Sequence, residues 1–343
     1  MRAISAHDLN ATARAMVAPG KGVLAADESS GTITKRFEAI GVESTFDSRR
    51  AYRETLLSTP GIEEFVSGVI LYDETLRQST SDNTPFPKML EARGVLPGIK
   101  VDTGAMDLAG APGEKVTEGL DGLRARIAEY VGLGARFAKW RAVITIGDHI
   151  PSAYCIDANA HALARYAALC QEGGLVPIVE PEVLMDADND IDRCAHVTEI
   201  THRAVFAALA LHRVRLDGMI LKPNMVISGK KCATQAGVEE VAAKTVALLR
   251  RTVPAAVPGI AFLSGGQSAE VATAHLNAMN AMGPHPWALS FSYGRALQDP
   301  ALIAWKGEAS NSDAGQAALY HRSKCNSLAT SGQYSTQLES AGA

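Results

Sequence analysis

Length, composition and charge already exclude several classes of protein. The chain has 343 residues, of which 47% are hydrophobic and 20% charged, and its formal net charge at pH 7 is −4. This is the composition of a globular protein with a large core, and no long basic block is present that would bind nucleic acid or an anionic membrane. The five cysteines have no C-x-x-C spacing, and no segment looks like a signal peptide or a membrane span. We therefore expect a cytoplasmic protein with reduced thiols.

The predicted elements alternate between strand and helix along the chain. A helix over about 8–18 comes first, and eight apolar runs then predict strands at 22–27, 66–72, 96–102, 136–143, 175–180, 218–222, 259–264 and 287–292. Helical patterns fall at about 119–132, 153–172, 190–214, 237–251 and 268–281. This order predicts an α/β fold, a single-domain (β/α)8 TIM barrel over 1–343 with a helical extension at 1–20. A helix from about 311 then gives way to polar sequence, which predicts a mobile C-terminal tail over about 328–343.

One lysine stands inside an apolar run, in Gly218-Met-Ile-Leu-Lys222-Pro223. Burial disfavours an ammonium, so such a lysine is either paired with a carboxylate or held as an amine nucleophile. Pro223 supplies no N–H, and the strand is therefore expected to end where Lys222 emerges. Taken alone, a lysine that reaches from a strand end to water is the commoner explanation.

Polar side chains also end most of the other predicted strands. Alternate residues of a barrel strand point inward and barrel sites lie at the carboxyl ends of the strands, so these side chains are predicted to meet. They are Asp27 and Ser29 on the first strand and the turn after it, Lys100 and Asp102 on the third strand, Lys139 and Arg141 on the fourth, Glu180 and Glu182 on the fifth, Ser264 on the seventh and Ser292 on the eighth. Convergence from so many strands favours a functional site over ordinary strand ends.

The charges of these residues suggest roles. Lys139 and Arg141 would face Lys222, and their like charges would favour its neutral amine. Glu180, which is also followed by a proline, is either the partner of a structural ion pair or the general acid/base that dehydrates a carbinolamine.

Two turns after the last two strands are typical of a phosphate site. One contains Ser264-Gly265-Gly266 and opens a helix, and the other contains Gly294-Arg295. Backbone N–H groups, a helix N-terminus and an arginine together donate hydrogen bonds to a phosphate. Arg36, in a Lys-Arg pair of the first crossover, is a possible second anchor, although such surface pairs are usually only solvated.

Metal and nucleotide chemistry are not indicated. The nine histidines form no H-E-x-x-H motif or Cys/His cluster, and His149, His196 and His202 are interpreted as loop and helix-surface residues. No G-x-G-x-x-G or P-loop pattern occurs. The residues predict an enzyme without metal or cofactor that forms a Schiff base with a phosphorylated carbonyl substrate.

Seven motifs resemble those of class I fructose-1,6-bisphosphate aldolases, in the same order and over about residues 17–334. They are Gly22–Gly31, Gly98–Asp102, Phe137–Arg141, Pro177–Glu182, Leu221–Met225, Phe262–Ser268 and Ser290–Leu297. The resemblance implies reversible cleavage of fructose 1,6-bisphosphate to dihydroxyacetone phosphate and glyceraldehyde 3-phosphate in glycolysis and gluconeogenesis, by a homotetramer. It implies a phosphorylated sugar as the partner, while the net charge of −4 and the lack of a long basic block argue against nucleic acid and membrane as partners.

The resemblance also implies a role for each site residue. Lys222 would form the imine at the C2 ketone, Asp27 would take the proton of the C4 hydroxyl, Glu180 would move protons, and Lys139 would stabilise charge on the C2 and C4 oxygens. The C1 phosphate would contact Ser264, Gly265, Gly266, Ser292, Gly294 and Arg295. The remaining residues, Arg36 as a phosphate contact and Ser29, Lys100, Arg141 and Glu182, would line the pocket.

The sequence departs from the animal members of this family at two places. Thr103 stands where they have a second lysine, and Ser340–Ala343 offers no counterpart of their terminal tyrosine. Two other functions stay open at this point. One is another Schiff-base lysine barrel enzyme such as a transaldolase, and the other is a scaffold or binding protein that retains the pocket.

Overall fold

Eight parallel strands close into a barrel in the computed structural model of the protein, which describes residues 6–340. In chain order the strands are β1 (Gly22–Ala26), β2 (Val66–Leu71), β3 (Leu96–Lys100), β4 (Gly104–Asp107), β5 (Lys115–Glu118), β6 (Phe137–Ile144), β7 (Val176–Val183), β8 (Ile220–Leu221), β9 (Gly259–Phe262) and β10 (Ala288–Tyr293). The order around the barrel is β1, β10, β9, β8, β7, β6, β3, β2, while β4 and β5 form a separate antiparallel hairpin. The predicted (β/α)8 barrel is confirmed.

Helices surround the barrel and extend it at both ends of the chain. They are α1 (Ala6–Met16), α2 (Ser30–Glu38), α3 (Phe46–Leu57), α4 (Asp73–Leu76), α5 (Phe86–Ala92), α6 (Leu123–Gly132), α7 (Ala153–Gly173), α8 (Ile191–Leu211), α9 (Val238–Thr252), α10 (Ala269–Ala281), α11 (Arg295–Trp305), α12 (Ser312–Ala329) and α13 (Gln337–Ser340). Short 3-10 turns lie at Ile62–Glu64, Leu216–Gly218 and Ala309–Asn311. Within residues 6–340, no helix combines the length and the apolar character that crossing a membrane requires.

The strands form from apolar runs because both faces of the barrel sheet are covered. Every residue of β1, β2 and β7 is buried, as expected for parallel strands with helices outside and side chains inside. Outward residues pack against the helices, and inward residues fill the lumen.

The amino end of the lumen is an apolar plug. Inward residues including Ile70, Phe137 and Ile220 form one buried cluster with α1 residues such as Ala13 and Met16. The ring of Phe137 fits there because Gly98 has no side chain: a Cβ at Gly98 would lie 2.2 Å from it. The helix predicted at the start of the chain therefore closes the bottom of the barrel.

Strand β8 is only two residues long, and Pro223 explains why. The N–H of Lys222 still donates to the carbonyl of Val179 at 2.8 Å, but the next residue has no N–H to continue the ladder. Beyond it, the amide of Asn224 accepts from Val183 N–H and donates to the Thr198 hydroxyl. As expected, the strand ends where the lysine emerges.

The C-terminal segment packs against the barrel as far as it is described. Tyr334 is buried, and its hydroxyl donates to Glu339 at 2.7 Å. Glu339 also pairs with Arg322 of α12. The single-domain division and the mobility of the tail over about 328–343 stay predictions, and residues 1–5 and 341–343 lie outside the described residues.

Candidate active site

Side chains from seven of the eight barrel strands and the turns after them surround one cavity of about 950 Å³ at the carboxyl end of the barrel. Nearly all of the predicted site residues line it, and Gly266 lies next to it in the same turn as Gly265. The lining members of that set are Asp27, Ser29, Arg36, Lys100, Lys139, Arg141, Glu180, Glu182, Lys222, Ser264, Gly265, Ser292, Gly294 and Arg295.

Two lysines and two carboxylates meet deep in this cavity. Lys139 Nζ lies 2.7 Å from Asp27 Oδ2 and 3.5 Å from Glu180 Oε2, and Lys222 Nζ lies 3.3 Å from Glu180 Oε1. The side chains of Lys222 and Glu180 are each only 4% exposed. Strand β7 holds Glu180 between Lys139 of β6 and Lys222 after β8, and barrel closure brings Asp27 across from β1. Glu180 therefore bridges the two lysines.

The charges of this quartet hold its members in defined states. Burial alone would raise the pKa of Asp27, but Lys139, Lys222 and Lys100 outweigh it and hold that pKa well below its usual range. Burial alone would lower the pKa of Lys139, and the charges of Asp27, Glu180 and Asp102 hold it well above its usual range instead. Asp27 is thus an anion and Lys139 a cation at neutral pH.

The electrostatic expectation for Arg141 needs a correction. Its guanidinium forms an ion pair with Glu182, and the charge of Lys139 is likewise offset by Asp27 and Glu180. Lys139 and Arg141 therefore each have a carboxylate partner. The alternation of inward and outward residues along a strand could not reveal these pairs. The repulsion that the sequence suggested between these cations and Lys222 is offset to that extent.

The turns after β9 and β10 have the geometry of an anion site. Gly265 and Gly266 both have positive φ, +57° and +71°, a backbone conformation that glycine adopts without strain in a tight turn. Ser268 caps the helix α10 that follows, and Arg295 begins α11. The buried hydroxyl of Ser292 has no hydrogen-bond partner within residues 6–340, so it can donate to a ligand.

A further basic group lines the cavity in the last turn of α2. The guanidinium of Arg36 lies 2.7 Å from Glu28, and buried Arg53 holds the second oxygen of Glu28 at 2.6 Å. Burial alone would raise the pKa of Glu28, but the two arginines outweigh it and lower that pKa. Glu28 therefore stays ionised and fixes where Arg36 stands.

The chain also matches known proteins over its whole described length. The family model of class I fructose-bisphosphate aldolase matches residues 8–343. The chain belongs to the class I fructose-bisphosphate aldolase family. A "probable fructose-bisphosphate aldolase class 1" from Xanthomonas campestris pv. campestris is 60% identical over 96% of this chain and 99% of its own length. For the cytosolic fructose-bisphosphate aldolase 4 of Arabidopsis thaliana the identity is 53%, over 96% of this chain and 84% of that protein.

A solved aldolase structure has the same fold. It is a fructose-bisphosphate aldolase from Plasmodium falciparum in complex with TRAP and a small-molecule inhibitor, 48% identical, with a TM-score of 0.95 over 96% of this chain and 95% of that one. The resemblance seen in the sequence is confirmed: the chain is a class I aldolase, a lyase of the Schiff-base type. The transaldolase alternative is thereby superseded.

Glu28 in the cavity wall, and Arg53 and Lys230 next to the cavity, are charged residues that were not predicted from the sequence. Glu28 lines the cavity although it follows Asp27 directly, because β1 ends at Ala26 and the chain then turns into α2. Lys230 stands beside the glycine turn, since a Cβ at Gly266 would lie 2.6 Å from its Nζ. The sequence signals Lys230 only through the pair Lys230-Lys231 in the loop after Lys222.

The interpretation of one histidine was wrong. His202 is fully buried, and its Nδ1 lies 3.2 Å from the Thr252 hydroxyl, so it is a core residue rather than a helix-surface residue. Burial lowers the pKa of His202 to about 4. His149 and His196 are exposed, as expected, and none of the three lines the aldolase cavity.

Proposed function

We propose that this chain cleaves fructose 1,6-bisphosphate through an imine that Lys222 forms with the C2 ketone. The observation that carries the proposal is the 3.3 Å contact between Lys222 Nζ and Glu180, deep in a cavity that several basic side chains line. An amine nucleophile beside a carboxylate is the pair that imine formation requires.

Glu180 moves the protons in the first half of the reaction. It accepts a proton from the Lys222 ammonium, and the neutral amine adds to C2. A proton passes from nitrogen to the former carbonyl oxygen, which gives the carbinolamine. Glu180 then returns its proton to that hydroxyl, water leaves, and the protonated imine forms. The charge of Lys139 stabilises the negative charge that develops on the oxygen at C2.

Asp27 acts in carbon–carbon cleavage. Its carboxylate takes the proton of the C4 hydroxyl, the C3–C4 bond breaks, and C4 becomes the aldehyde of glyceraldehyde 3-phosphate. The electron pair of the broken bond moves into the imine and leaves an enamine on Lys222. Lys139, at 2.7 Å from Asp27, also lies close enough to stabilise charge on the C4 oxygen.

The enamine is first protonated at C3, which consumes one proton and balances the proton that Asp27 took and now gives up. The imine is then hydrolysed by the reverse of the first half: water adds with Glu180 as the base, and the C2–N bond breaks. Dihydroxyacetone phosphate leaves, and the water that was lost in dehydration is replaced. No step consumes a cofactor or requires a metal ion, and we propose that aldol cleavage by this chain uses neither.

The basic groups that line the cavity suit a substrate with two phosphates. We assign the C1 phosphate to the turns of Ser264, Gly265, Gly266, Ser292, Gly294 and Arg295, and we add Lys230 because it flanks Gly266 together with Arg295. Arg36 is assigned to the opposite phosphate, with Ser29 and Lys100 beside it. Arg141 and its partner Glu182 form the wall between them. Two separate anchors favour a bisphosphate substrate.

The cellular setting follows from the family. We propose a cytoplasmic homotetramer that binds neither nucleic acid nor membrane and acts in glycolysis and gluconeogenesis. The net charge of −4 and the cytosolic plant relatives support this setting. Light scattering tests the assembly: a mass four times that of one chain is expected, and a monomer would contradict it.

The test of the reaction is cleavage of fructose 1,6-bisphosphate with EDTA present and no acceptor aldehyde added. We expect both triose phosphates to form in equal amounts, and no reaction with Lys222→Met. Because a transaldolase needs an acceptor for turnover, a product that appears only when an acceptor is added would contradict the proposal.

A further inference from the structure

A second group of reactive side chains lies away from the active site, where the last helix meets α12. It consists of His321, Cys325 and Glu339, whose ligand atoms all lie within 4.8 Å of one another. None of the three lines the aldolase cavity. His321 and Cys325 are four residues apart on α12, so both face the same side, and Glu339 of α13 closes over them.

Two of the spacings between the ligand atoms are those of a tetrahedral site. Cys325 Sγ lies 3.6 Å from His321 Nε2, and His321 Nε2 lies 3.3 Å from Glu339 Oε2. With ordinary zinc bond lengths, a tetrahedral ion separates its N and S ligands by about 3.6 Å and its N and O ligands by about 3.4 Å. The third pair, Cys325 Sγ and the Glu339 carboxylate oxygen, lies within 4.8 Å, so one ion can reach all three atoms after a small movement of the carboxylate.

The surroundings also suit an ion. Cys325 is buried, whereas His321 and Glu339 are about one-quarter exposed and leave a path from solvent. Glu339 Oε1 accepts a hydrogen bond from Tyr334, and Oε2, the oxygen that faces His321, also accepts one from Arg322, which is itself fixed by the Thr273 hydroxyl at 2.7 Å. Such outer partners orient the carboxylate that binds a metal.

We propose that His321, Cys325 and Glu339 bind one Zn²⁺ ion per chain, with water as the fourth ligand. Mixed imidazole, thiolate and carboxylate ligands are those that zinc accepts. Cys325 gives its proton to solvent when it binds the ion. The ion links α13 to α12 and so holds α13 against the barrel. It takes no part in aldol cleavage.

Cobalt serves as the spectroscopic probe for this site. The full-length protein is stripped with EDTA, desalted with a phosphine reductant and titrated with Co²⁺. We expect one equivalent to bind, with a thiolate charge-transfer band and the visible bands of tetrahedral cobalt, and Zn²⁺ to displace it. Cys325→Ser loses the charge-transfer band. His321→Ala and Glu339→Gln weaken binding by at least about tenfold, since even outer partners of a metal site contribute that much.

Cys232→Ser is the matched control, because Cys232 lies outside the cluster and is partly exposed; it should bind Co²⁺ as the wild type does. If Cys325→Ser does not fold, the two variants of partly exposed residues carry the test. Zinc should also raise the melting temperature of the wild type but not that of His321→Ala. The absence of a thiolate band in the wild type, or equal binding by the wild type and all three variants, overturns the proposal and leaves the cluster a hydrogen-bonded contact.

Discussion

The two ends of the barrel lumen are built from the same strands and differ in almost every property. At the amino end, side chains such as Val23, Phe137 and Ile178 pack with α1 into an apolar plug. At the carboxyl end, Lys139 and Glu180, each two residues further along the same strands, meet in ion pairs. Every second residue of a strand points into the lumen at both ends. The apolar plug and the catalytic side chains are therefore only two residues apart along the same strand. We expect substitutions at the floor to change stability, and those above it to change catalysis.

The largest effect is expected for Asp27→Asn. The variant loses the base that accepts the C4 hydroxyl proton, so we expect kcat for fructose 1,6-bisphosphate to fall by roughly 10³-fold, about 4 kcal/mol in the barrier. The imine with dihydroxyacetone phosphate should still form, since Lys222 and Glu180 are intact. Asp47→Asn, at an exposed carboxylate of α3, is the control and should be fully active. Cleavage by Asp27→Asn within tenfold of the wild type would contradict the role of Asp27.

Glu28→Gln tests whether an ion pair at the carboxyl end of the barrel also contributes to the stability of the fold. The substitution leaves the buried guanidinium of Arg53 without a charged partner, and we expect a loss of roughly 3 kcal/mol in the free energy of unfolding at pH 7. The pKa of Glu28 is lowered by folding, so its contribution exists above the ordinary value of 4.5 and disappears as the pH falls through the lowered value. The difference between variant and wild type should therefore narrow below about pH 4.5.

Denaturant titrations at several pH values measure this difference. Glu38→Gln, at an exposed residue of α2, the helix that follows Glu28, is the control and should show no loss at any pH. A loss for Glu28→Gln that is as large at pH 4 as at pH 7 would mean that packing, not the ion pair, stabilises this corner.

At the floor, Met16→Ala should cost stability alone. Met16 is fully buried in the plug, and we expect a loss of roughly 2.5 kcal/mol from the lost contacts and the cavity. No charge is involved, so this loss should be the same at pH 7 and pH 5, and kcat/KM should stay within about twofold of the wild type. Met282→Ala, at a methionine that is 42% exposed, is the control. A fall in kcat at unchanged stability would contradict the prediction that residues at the amino end of the lumen affect stability but not catalysis.

The smallest effect is expected for Lys230→Met. This lysine lies beside the turn that we assign to the C1 phosphate, and loss of one charged contact should raise KM for fructose 1,6-bisphosphate by about tenfold with little change in kcat. The adjacent Lys231→Met is the matched control and should leave KM unchanged. Equal KM values for both variants and the wild type would remove Lys230 from the site.

The strands and most helices could be predicted because burial on both faces leaves long apolar runs, and those runs recur with helical periodicity between them. The hairpin of β4 and β5 could not, because its residues are mostly exposed and carry no apolar pattern. Helix α3, rich in charge, was missed for a related reason: its buried residues all lie in its second half, from Tyr52 to Leu57, so no apolar repeat runs along the helix. The periodicity of apolar residues reflects which side chains are buried, so an element with few buried side chains leaves only a weak pattern in the sequence.

For the site, alternation predicted which residues face the lumen but not which of them touch. The contact between Lys139 and Asp27 depends on how the barrel closes across its lumen, and the pairing of Arg141 with Glu182 depends on the register of β6 and β7. Neither is encoded locally. Glu28 was missed for a different reason. Strand β1 ends at Ala26, so the alternation of inward and outward residues no longer applies at Glu28.

The most direct test of the account asks which lysine becomes covalently modified. The protein is incubated with dihydroxyacetone phosphate and EDTA, reduced with borohydride and digested, and the added mass is located by peptide mass spectrometry. We predict one adduct per chain, on Lys222, and none in Lys222→Met. An adduct on Lys139 or Lys100, or none in the wild type, would contradict the assignment of Lys222 as the residue that forms the imine.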